Sequence, residues 1–387
     1  MASSTKALAE LLEQAKSFPE SDFIREWKER GKKVIGWVCI YVPEEIIYAA
    51  SMLPYRISGD NEELELKKAE SFLYINTCSF ARTSFQLALE NRYNFLDGLV
   101  VGETCDGARR LYDIWLRNRP LPFMHVYGIP RKFIDRSLRI YRTDLEEFKN
   151  RLETFAGKPI SSESLHRAIR TYNTSRRLLR QLYELRVADF PPLSGADFLE
   201  VTKAGMRIPR DKYNIFLEKL LAEISNGNSH QPEGSPKVRL MVLGSILNNS
   251  SFLQGIEEVG ATVVTDELCT GTRYFWGEVD ETLDPMEGLA HYYLNRPPCA
   301  RFQPYHRRFE HIFQMIEDFK VDGVISEIVR YCVPYGHDKP FLKERLEECS
   351  VPTLELDLEY GAGSSGQVRT RVEAFVEMLQ NRHEVHS

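Results

Sequence analysis

The sequence predicts an α/β protein built from two parallel-sheet halves with a helical segment between them. One observation is a duplicated motif: Asp97–Cys105 reads DGLVVGETC and Asp322–Cys332 reads DGVISEIVRYC. In each copy, a short apolar run typical of a buried parallel strand follows Asp-Gly and precedes a cysteine. The other observation is that each copy leads into a helical pattern and another strand-like run, LPFMHVYG or VPTLELDLEYG. This alternation is typical of βαβ units.

The two motif cysteines are expected to face each other. Ligands of open α/β sheets collect at the carboxyl ends of the strands. Because Cys105 and Cys332 each follow a strand, the two halves can present a thiol from equivalent positions across a cleft. A metal between them would close that cleft.

Composition limits the function classes. The chain has 387 residues, of which 43% are hydrophobic, so two or three domains with sizeable cores are expected. The net charge of −6 argues against a general nucleic-acid surface. We find no apolar run near the ~20 residues of a membrane span and no secretory signal. A cytoplasmic protein that binds neither nucleic acid nor membrane is therefore expected.

The cysteines do not form a local motif. Seven are scattered along the chain, at positions 39, 78, 105, 269, 299, 332 and 349. An odd number in a large chain of intracellular type argues against a disulfide framework, and CxxC does not occur. Any metal site must therefore be assembled from distant segments.

The patterns divide the chain into four parts. Residues 1–143 predict an N-terminal α/β domain with leading helices, and residues 144–226 predict a helical segment. Residues 227–236 are rich in Gly, Pro, Ser and Asn and predict a linker. Residues 237–387 predict a C-terminal α/β domain. The arginine-rich face of the helical run at residues 164–186 is interpreted as solvated surface or, alternatively, as a contact for phosphates.

The N-terminal part begins with a predicted strand over Lys32–Val42, after which Pro43 starts a helix at its favoured first position. Glu44 and Glu45 then fall in the first turn. They either complement the helix dipole or supply an acid or base at a strand-to-helix crevice.

Cys78 and Cys105 fall at predicted helix starts. Thr77 or Ser79 is the expected cap of a helix running to about Asn91, and Asp106 is the expected cap after Cys105. A helix N-terminus lowers the pKa of a thiol and favours the thiolate that metals bind. A single free cysteine is otherwise most often packed in a core.

The C-terminal part holds two glycine signals. Gly244 and Ser245 form a turn that could present N–H groups to a ligand. Gly361, Gly363 and Gly366 match GxGxxG between a strand and a helix, but the sequence to Ser387 has no room for a complete dinucleotide-binding unit. An anion-binding loop or a plain turn is expected instead.

Longer motifs carry a resemblance to a known family. CSFAR with Cys78, GETCDGARRLYD with Cys105, RYCVPYGHDKPFLKERLEE with Cys332, and the closing GQVRTRVEAFVEML stand in the family's order. With VPEEIIYAASMLP near the start, the chain from about residue 33 to 380 resembles the benzoyl-CoA reductase / 2-hydroxyacyl-CoA dehydratase family.

The resemblance implies two Rossmann-like halves with an iron–sulfur cluster in the cleft. Carried over motif by motif, Cys78, Cys105 and Cys332 are the implied ligands of a [4Fe–4S] cluster, which leaves one iron without a cysteine. The other thiols, at positions 39, 269, 299 and 349, leave a double-cubane cluster open. Glu45 is the candidate for proton transfer, with a raised pKa if it is buried away from positive charge.

The implied activity is radical chemistry on an acyl-CoA thioester. A separate ATP-hydrolysing iron–sulfur activator would supply single low-potential electrons, and a related second large subunit would complete a heterodimer, or a second copy a homodimer. The electron would produce a ketyl-type radical on the acyl-CoA. DIWLRNRP after Cys105 and DELCTGTRYF around Cys269 favour a benzoyl-CoA reductase subunit. The alternatives are a 2-hydroxyacyl-CoA dehydratase subunit, a double-cubane reductase of small molecules, and a cluster-free binding protein with structural cysteines.

Overall fold

The computed structural model describes residues 5–15, 21–59, 64–227, 238–363 and 365–386. Its described strands are β1 Val34–Val38, β2 Leu53–Arg56, β3 Gly98–Glu103, β4 Phe123–Gly128, β5 Val238–Gly244, β6 Ala261–Glu267, β7 Gly323–Val329 and β8 Thr353–Leu358. Its described helices are α1 Lys6–Ala15, α2 Asp22–Glu29, α3 Glu44–Ala49, α4 Lys67–Glu70, α5 Ser79–Leu89, α6 Asp106–Asn118, α7 Asp135–Ala156, α8 Ser162–Glu184, α9 Gly195–Gly205, α10 Arg210–Ser225, α11 Ser251–Glu258, α12 Thr272–Phe275, α13 Pro285–Asn295, α14 His306–Asp318, α15 Val333–Glu348 and α16 Gly366–His386. The predicted linker lies outside the described residues except for Gly227.

The strands form two four-stranded sheets with the same topology. The strand order is β2-β1-β3-β4 in the first sheet and β6-β5-β7-β8 in the second, and the paired strands are parallel. Helices connect the strands within each sheet. The predicted fold class, two parallel-sheet halves of Rossmann-like architecture, is therefore confirmed. The equivalent strands β3 and β7 carry the duplicated motif.

The Asp-Gly pair performs the same task in both halves. The Asp97 carboxylate accepts a hydrogen bond from the backbone amide of Val34 at 2.8 Å, and the Asp322 carboxylate accepts one from the backbone amide of Arg239 at 2.7 Å. The backbone amides of the two aspartates in turn donate hydrogen bonds to the carbonyl oxygens of Val34 and Arg239, respectively. Each aspartate thus ties the start of the third strand of its half to the start of the first strand. A Cβ on Gly98 would lie 2.7 Å from the Phe123 Cβ, which explains the glycine there.

The helical part joins the two sheets. A continuous hydrophobic core contains residues of both sheets, such as Trp37 and Val100 from the first and Met241 and Val324 from the second. Residues of α7, α8, α9, α10, α13 and α14 complete this core. Separate cores cover the other face of each sheet. The carboxyl edges of both sheets are therefore held in a fixed relation.

The first strand is shorter than the prediction. It ends at Val38 because Cys39 adopts a left-handed backbone conformation, with φ of 79°, which is uncommon for a residue other than glycine. Pro43 stands at the N-cap of α3, just before Glu44 and Glu45 in the first turn. Within the described residues, we find no helix with the length and apolar character needed to cross a bilayer.

Candidate functional site

The three predicted ligand cysteines are themselves helix N-caps. Cys78 precedes α5, Cys105 precedes α6 and Cys332 precedes α15, each with extended or non-helical backbone angles. The predicted caps, Thr77 or Ser79 and Asp106, were wrong. The chain turns from extended to helical conformation at the cysteine, so the following residue already belongs to the helix. Each thiol consequently lies over the amino end of a helix.

One cavity between the two halves gathers these thiols with three others. It has a volume of ≈ 100 Å³. Six cysteines line it: Cys39, Cys78, Cys105, Cys269, Cys299 and Cys332. Four of the six follow strands β1, β3, β6 and β7, so they lie at the carboxyl edges of the two sheets. The seventh, Cys349, is exposed at the end of α15 and does not line this cavity.

The effects of neighbouring thiols on the pKa of Cys78, Cys269, Cys299 and Cys332 divide the six cysteines into two groups. Burial is the main cause of the raised pKa of Cys332, and Cys78 and Cys105 raise it further; Cys105 likewise adds to the effect of burial on Cys78. We call Cys78, Cys105 and Cys332 the first thiol triad.

The second thiol triad consists of Cys39, Cys269 and Cys299. Burial raises the pKa of Cys269 and Cys299, and Cys39 raises both further. Cys269 also raises the pKa of Cys299. The two triads meet where Cys39 adds to the effect of burial on the pKa of Cys105. Each triad draws on both sheet halves, since Cys332 and Cys269 come from the second.

The expectation of a lowered pKa at Cys78 and Cys105 was wrong for the metal-free chain. Burial raises the pKa of Cys78 to about 12, and it also raises that of Cys105. The helix amides act in the opposite direction: Phe80 and Ala81 on Cys78, and Ala108 on Cys105. Desolvation of the thiolate outweighs them, because a charge in an apolar cavity loses its hydration. A bound metal would reverse this balance by deprotonating the thiols it coordinates.

Arginines surround the cavity and favour negative charge within it. Arg273 and Arg301 both oppose the effect of burial on the pKa of Cys299, and Arg273 and Arg56 do so at Cys269. Arg273 is fully buried, with Nε 3.0 Å from Glu267 Oε1 and one Nη donating to the carbonyls of Gly244 and Ser245. Sequence reasoning had assigned no role to these arginines, because nothing in the local sequence around them indicates a site.

The thiols that line the cavity are the donor type that iron–sulfur clusters require. In the described part of the chain, no three or more His, Cys, Asp or Glu side chains stand together so as to hold one ion. In a cubane each iron binds its own thiolate, so the ligand sulfurs surround the cluster and do not converge on a point. The cavity also contains a buried donor, the hydroxyl of Tyr335, that has no partner among the described residues, as expected where an acceptor-rich group binds.

Glu45 lies elsewhere. It is fully buried in the first turn of α3 and accepts hydrogen bonds from Tyr293 at 2.7 Å and from the Arg176 guanidinium. Its neighbour Glu44 is buried similarly, against Arg210 at 3.1 Å and Tyr274 at 2.7 Å. Neither glutamate is among the residues that line the cysteine cavity. Glu45 is therefore buried beside a positive charge, and its role in proton transfer stays a prediction.

The glycine-rich match near the end of the chain is explained by packing. Gly361, in the turn that follows β8, has a left-handed φ of 85°. A Cβ on Gly363 would lie 2.6 Å from the Ser251 hydroxyl. These contacts account for two of the three glycines, which supports the plain-turn interpretation.

A cationic groove adjoins the cysteine cavity. It has a volume of ≈ 610 Å³ and shares Thr104, Cys105 and Arg301 with the cavity. Four arginines line it, Arg109, Arg110, Arg131 and Arg301, together with Glu103, Asp106 and Asp144. Arg109 and Arg110 are paired with neighbouring carboxylates. Arg301 donates to the carbonyl of Ile129 at 2.7 Å, which holds the Cys299 loop against the end of β4.

Comparison with known proteins gives matches over most of the chain. Residues 39–379 match the family described as 2-hydroxyglutaryl-CoA dehydratase, D-component. The chain is 29% identical to the protein YjiM of Escherichia coli (strain K12), over 92% of this chain and 94% of the relative. It is 26% identical to a benzoyl-CoA reductase subunit of Thauera aromatica, over 92% and 94%. It is also 26% identical to the (R)-2-hydroxyglutaryl-CoA dehydratase beta subunit of Acidaminococcus fermentans, over 96% and 99%.

The family match spans both sheets and the helices between them, including all six cysteines of the cavity. Its members include enzyme subunits named for reductases and dehydratases of CoA thioesters. The chain belongs to the 2-hydroxyglutaryl-CoA dehydratase D-component family.

Proposed function

We propose that this chain is an iron–sulfur reductase that holds a double-cubane cluster and delivers single electrons at low potential to a small substrate. The observation that carries the proposal is the gathering of six thiols, in two triads, around one cavity. If a [4Fe–4S] cluster were bound by the first thiol triad alone, Cys39, Cys269 and Cys299 would line the cavity without being ligands. Two cubanes, each held by one triad, use all six.

The protein's own residues would hold, shield and charge-balance such a cluster. The strands β1, β3, β6 and β7 fix four of the thiols, and the amino ends of α5, α6 and α15 direct amides toward the first thiol triad. Apolar side chains, among them Val38, Ile40 and Ile246, line the same cavity and exclude water. The bound cluster would supply one-electron reduction at a potential set by burial, charge and hydrogen bonds.

Anaerobic purification followed by iron and sulfide analysis tests this proposal. A double cubane gives about eight irons per chain, a single cubane about four and a cluster-free binding protein none. Changing Cys299→Ser should lower the iron content markedly, since a ligand of the second thiol triad is lost. The matched control is Cys349→Ser, which alters an exposed cysteine outside the cavity and should leave the iron content unchanged. Full iron content in the Cys299→Ser protein would refute the two-triad assignment.

A second candidate is a subunit of an acyl-CoA enzyme, of benzoyl-CoA reductase type or, alternatively, a 2-hydroxyacyl-CoA dehydratase. Relatives with those names cover more than nine-tenths of this chain. The cationic groove beside Cys105 favours this candidate, because Arg131 and Arg301 could contact the phosphates of coenzyme A. This activity would need a related second large subunit and an ATP-hydrolysing iron–sulfur activator.

The two candidate functions differ in the expected substrate and in the expected subunit assembly. Benzoyl-CoA and a 2-hydroxyacyl-CoA should each be assayed with the activator and ATP, alongside small molecules that need no coenzyme. Turnover of a CoA thioester that weakens on Arg131→Gln would support the second candidate. Reduction of small molecules by a homodimer, with no binding of CoA thioesters, would support the first.

A further inference from the structure

One buried arginine of the cysteine cavity, Arg56, has no carboxylate partner among the residues that the structure describes. Arg56 is the last residue of β2 and pairs in register with Trp37 of β1. Its side chain is 3% exposed and lines the cavity. Its Nε and Nη1 are buried without a hydrogen-bond partner, and among the described residues no carboxylate forms an ion pair with it. The guanidinium stacks over the Trp37 ring at 4.4 Å.

Three other buried arginines of this region, by contrast, are paired with carboxylates. Arg82, also 3% exposed, contacts Glu70 at 3.0 Å and Glu359 at 3.1 Å. Arg273 and Arg308 share Glu267, and Arg308 also contacts Asp338. In the described part of the molecule, Arg56 therefore differs from these three arginines in lacking a carboxylate rather than in burial.

A buried guanidinium without an anion is unfavourable. Arginine stays protonated in proteins, so it cannot escape the desolvation cost by losing its charge. Stacking on Trp37 recovers part of that cost, but a ring face attracts a cation less strongly than a carboxylate does. The buried N–H groups also need acceptors. An anion in the cavity would satisfy both requirements.

We infer that Arg56 is the counter-ion of an anion bound in the cysteine cavity, at the side of the second thiol triad. The inference rests on the proposed function in taking that anion to be the thiolate-ligated iron–sulfur cluster. The position follows from the sheet: Arg56 ends β2 beside β1, and Cys39 follows β1.

Arg56 is therefore a positioning residue that tunes the cluster. Reduction adds negative charge to a cluster that is already anionic. A fixed positive charge beside it stabilises the reduced state more than the oxidised state, and N–H donors to the sulfurs act in the same direction. Loss of the guanidinium should therefore make the cluster harder to reduce.

Two measurements on Arg56→Met test the inference, with Arg82→Met as the matched control. In the iron-free protein, thermal unfolding should show Arg56→Met to be more stable than the wild type, because a buried charge without a partner is removed. Arg82→Met should be less stable, because it leaves Glu70 without its arginine and removes one of the two arginines that contact Glu359. In the iron-loaded protein, a redox titration followed by electron paramagnetic resonance should give Arg56→Met a more negative midpoint potential. Arg56→Lys, which keeps the charge, should lie between Arg56→Met and the wild type.

The inference is overturned if iron-free Arg56→Met loses stability as Arg82→Met does, since Arg56 would then be part of the fold without an anion. It is also overturned if the loaded variants keep the wild-type potential. Failure of the proposed function gives a different result: the wild type itself would retain no iron. The iron-free comparison still decides the status of Arg56 in that case.

Discussion

The buried pair formed by Glu45 and Arg176 gives the clearest test of what Glu45 does. Glu45 is fully buried and contacts both Arg176 and Tyr293. Changing Glu45→Gln keeps the shape of the side chain but leaves the Arg176 charge buried without its anion. Removing one partner of a buried ion pair costs about 3–5 kcal/mol. At roughly 2–4 °C per kcal/mol for a mid-sized domain, the expected fall in Tm is on the order of 10 °C.

The assay is thermal unfolding of the iron-free protein, with the double variant Glu45→Gln, Arg176→Met as the control. The double variant removes both charges and should recover much of the lost stability, because neither charge remains unpaired. Cluster content and reduction of the loaded protein should follow the amount of folded protein. The reasoning is refuted if Glu45→Gln keeps the wild-type Tm and loses turnover, a result that would support the predicted role of Glu45 in proton transfer.

The remaining predictions concern the sheets and the groove. Burial, with a smaller effect of Asp357, raises the pKa of Glu327 to about 8, so the folded protein holds a proton that the unfolded chain releases near pH 4.5. The stability linked to Glu327 is therefore fully present below about pH 4.5 and is lost as the pH rises through about 8. In thermal unfolding, the Tm of Glu327→Gln should match that of the wild type near pH 5 and exceed it above pH 8. Parallel curves of Tm against pH for the two proteins would contradict this. Gly98→Ala should lower Tm, because the added Cβ would lie 2.7 Å from the Phe123 Cβ. Gly128→Ala is the control and should leave Tm unchanged, because no atom lies within 4 Å of the added Cβ. Equal effects on Tm in the two variants would show that the close contact does not matter. If the cationic groove holds coenzyme A, Arg131→Gln should weaken the binding of a CoA thioester, as measured by calorimetry. The loss of affinity should be larger at low salt than at high salt, because salt screens the charge of Arg131. Unchanged affinity would exclude this residue from the site.

The repeated sheet could be predicted because its signals are local. The Asp-Gly pair, the apolar run and the following cysteine are contiguous in each copy, and the structure gives Asp97 and Asp322 the same hydrogen bonds. The end of the first strand at Val38 was less predictable. Cys39 there adopts a left-handed conformation that side-chain type does not indicate.

Only some of the residues that line the cavity could be predicted from the sequence. Cys39 and Cys269 follow strands β1 and β6, and parallel topology brings the ends of these strands to the same edges as Cys105 and Cys332. That rule could have grouped four of the six thiols from the sequence. Cys299 lies in a loop whose position depends on contacts such as that of Arg301 with Ile129. Contacts of this kind leave no periodic pattern in the sequence, so the position of Cys299 could not be predicted.

Buried charge pairing was the least predictable feature. Glu45 and Arg176 are joined by the packing of α3 against α8, and the sequence around either residue is equally consistent with an exposed helix. Arg56 stands at the end of an apolar strand with nothing local to distinguish it. Desolvation, which reverses the expected direction of the pKa at Cys78 and Cys105, also depends on burial that only the fold determines.

Anomalous diffraction at the iron absorption edge, on crystals of anaerobically purified protein, tests the central claim most directly. The account predicts iron in the cysteine cavity in two groups, one within bonding distance of Cys78, Cys105 and Cys332 and the other of Cys39, Cys269 and Cys299. Iron beside the first thiol triad alone would contradict the double-cubane assignment, and a cavity without iron in an iron-containing protein would contradict the site itself.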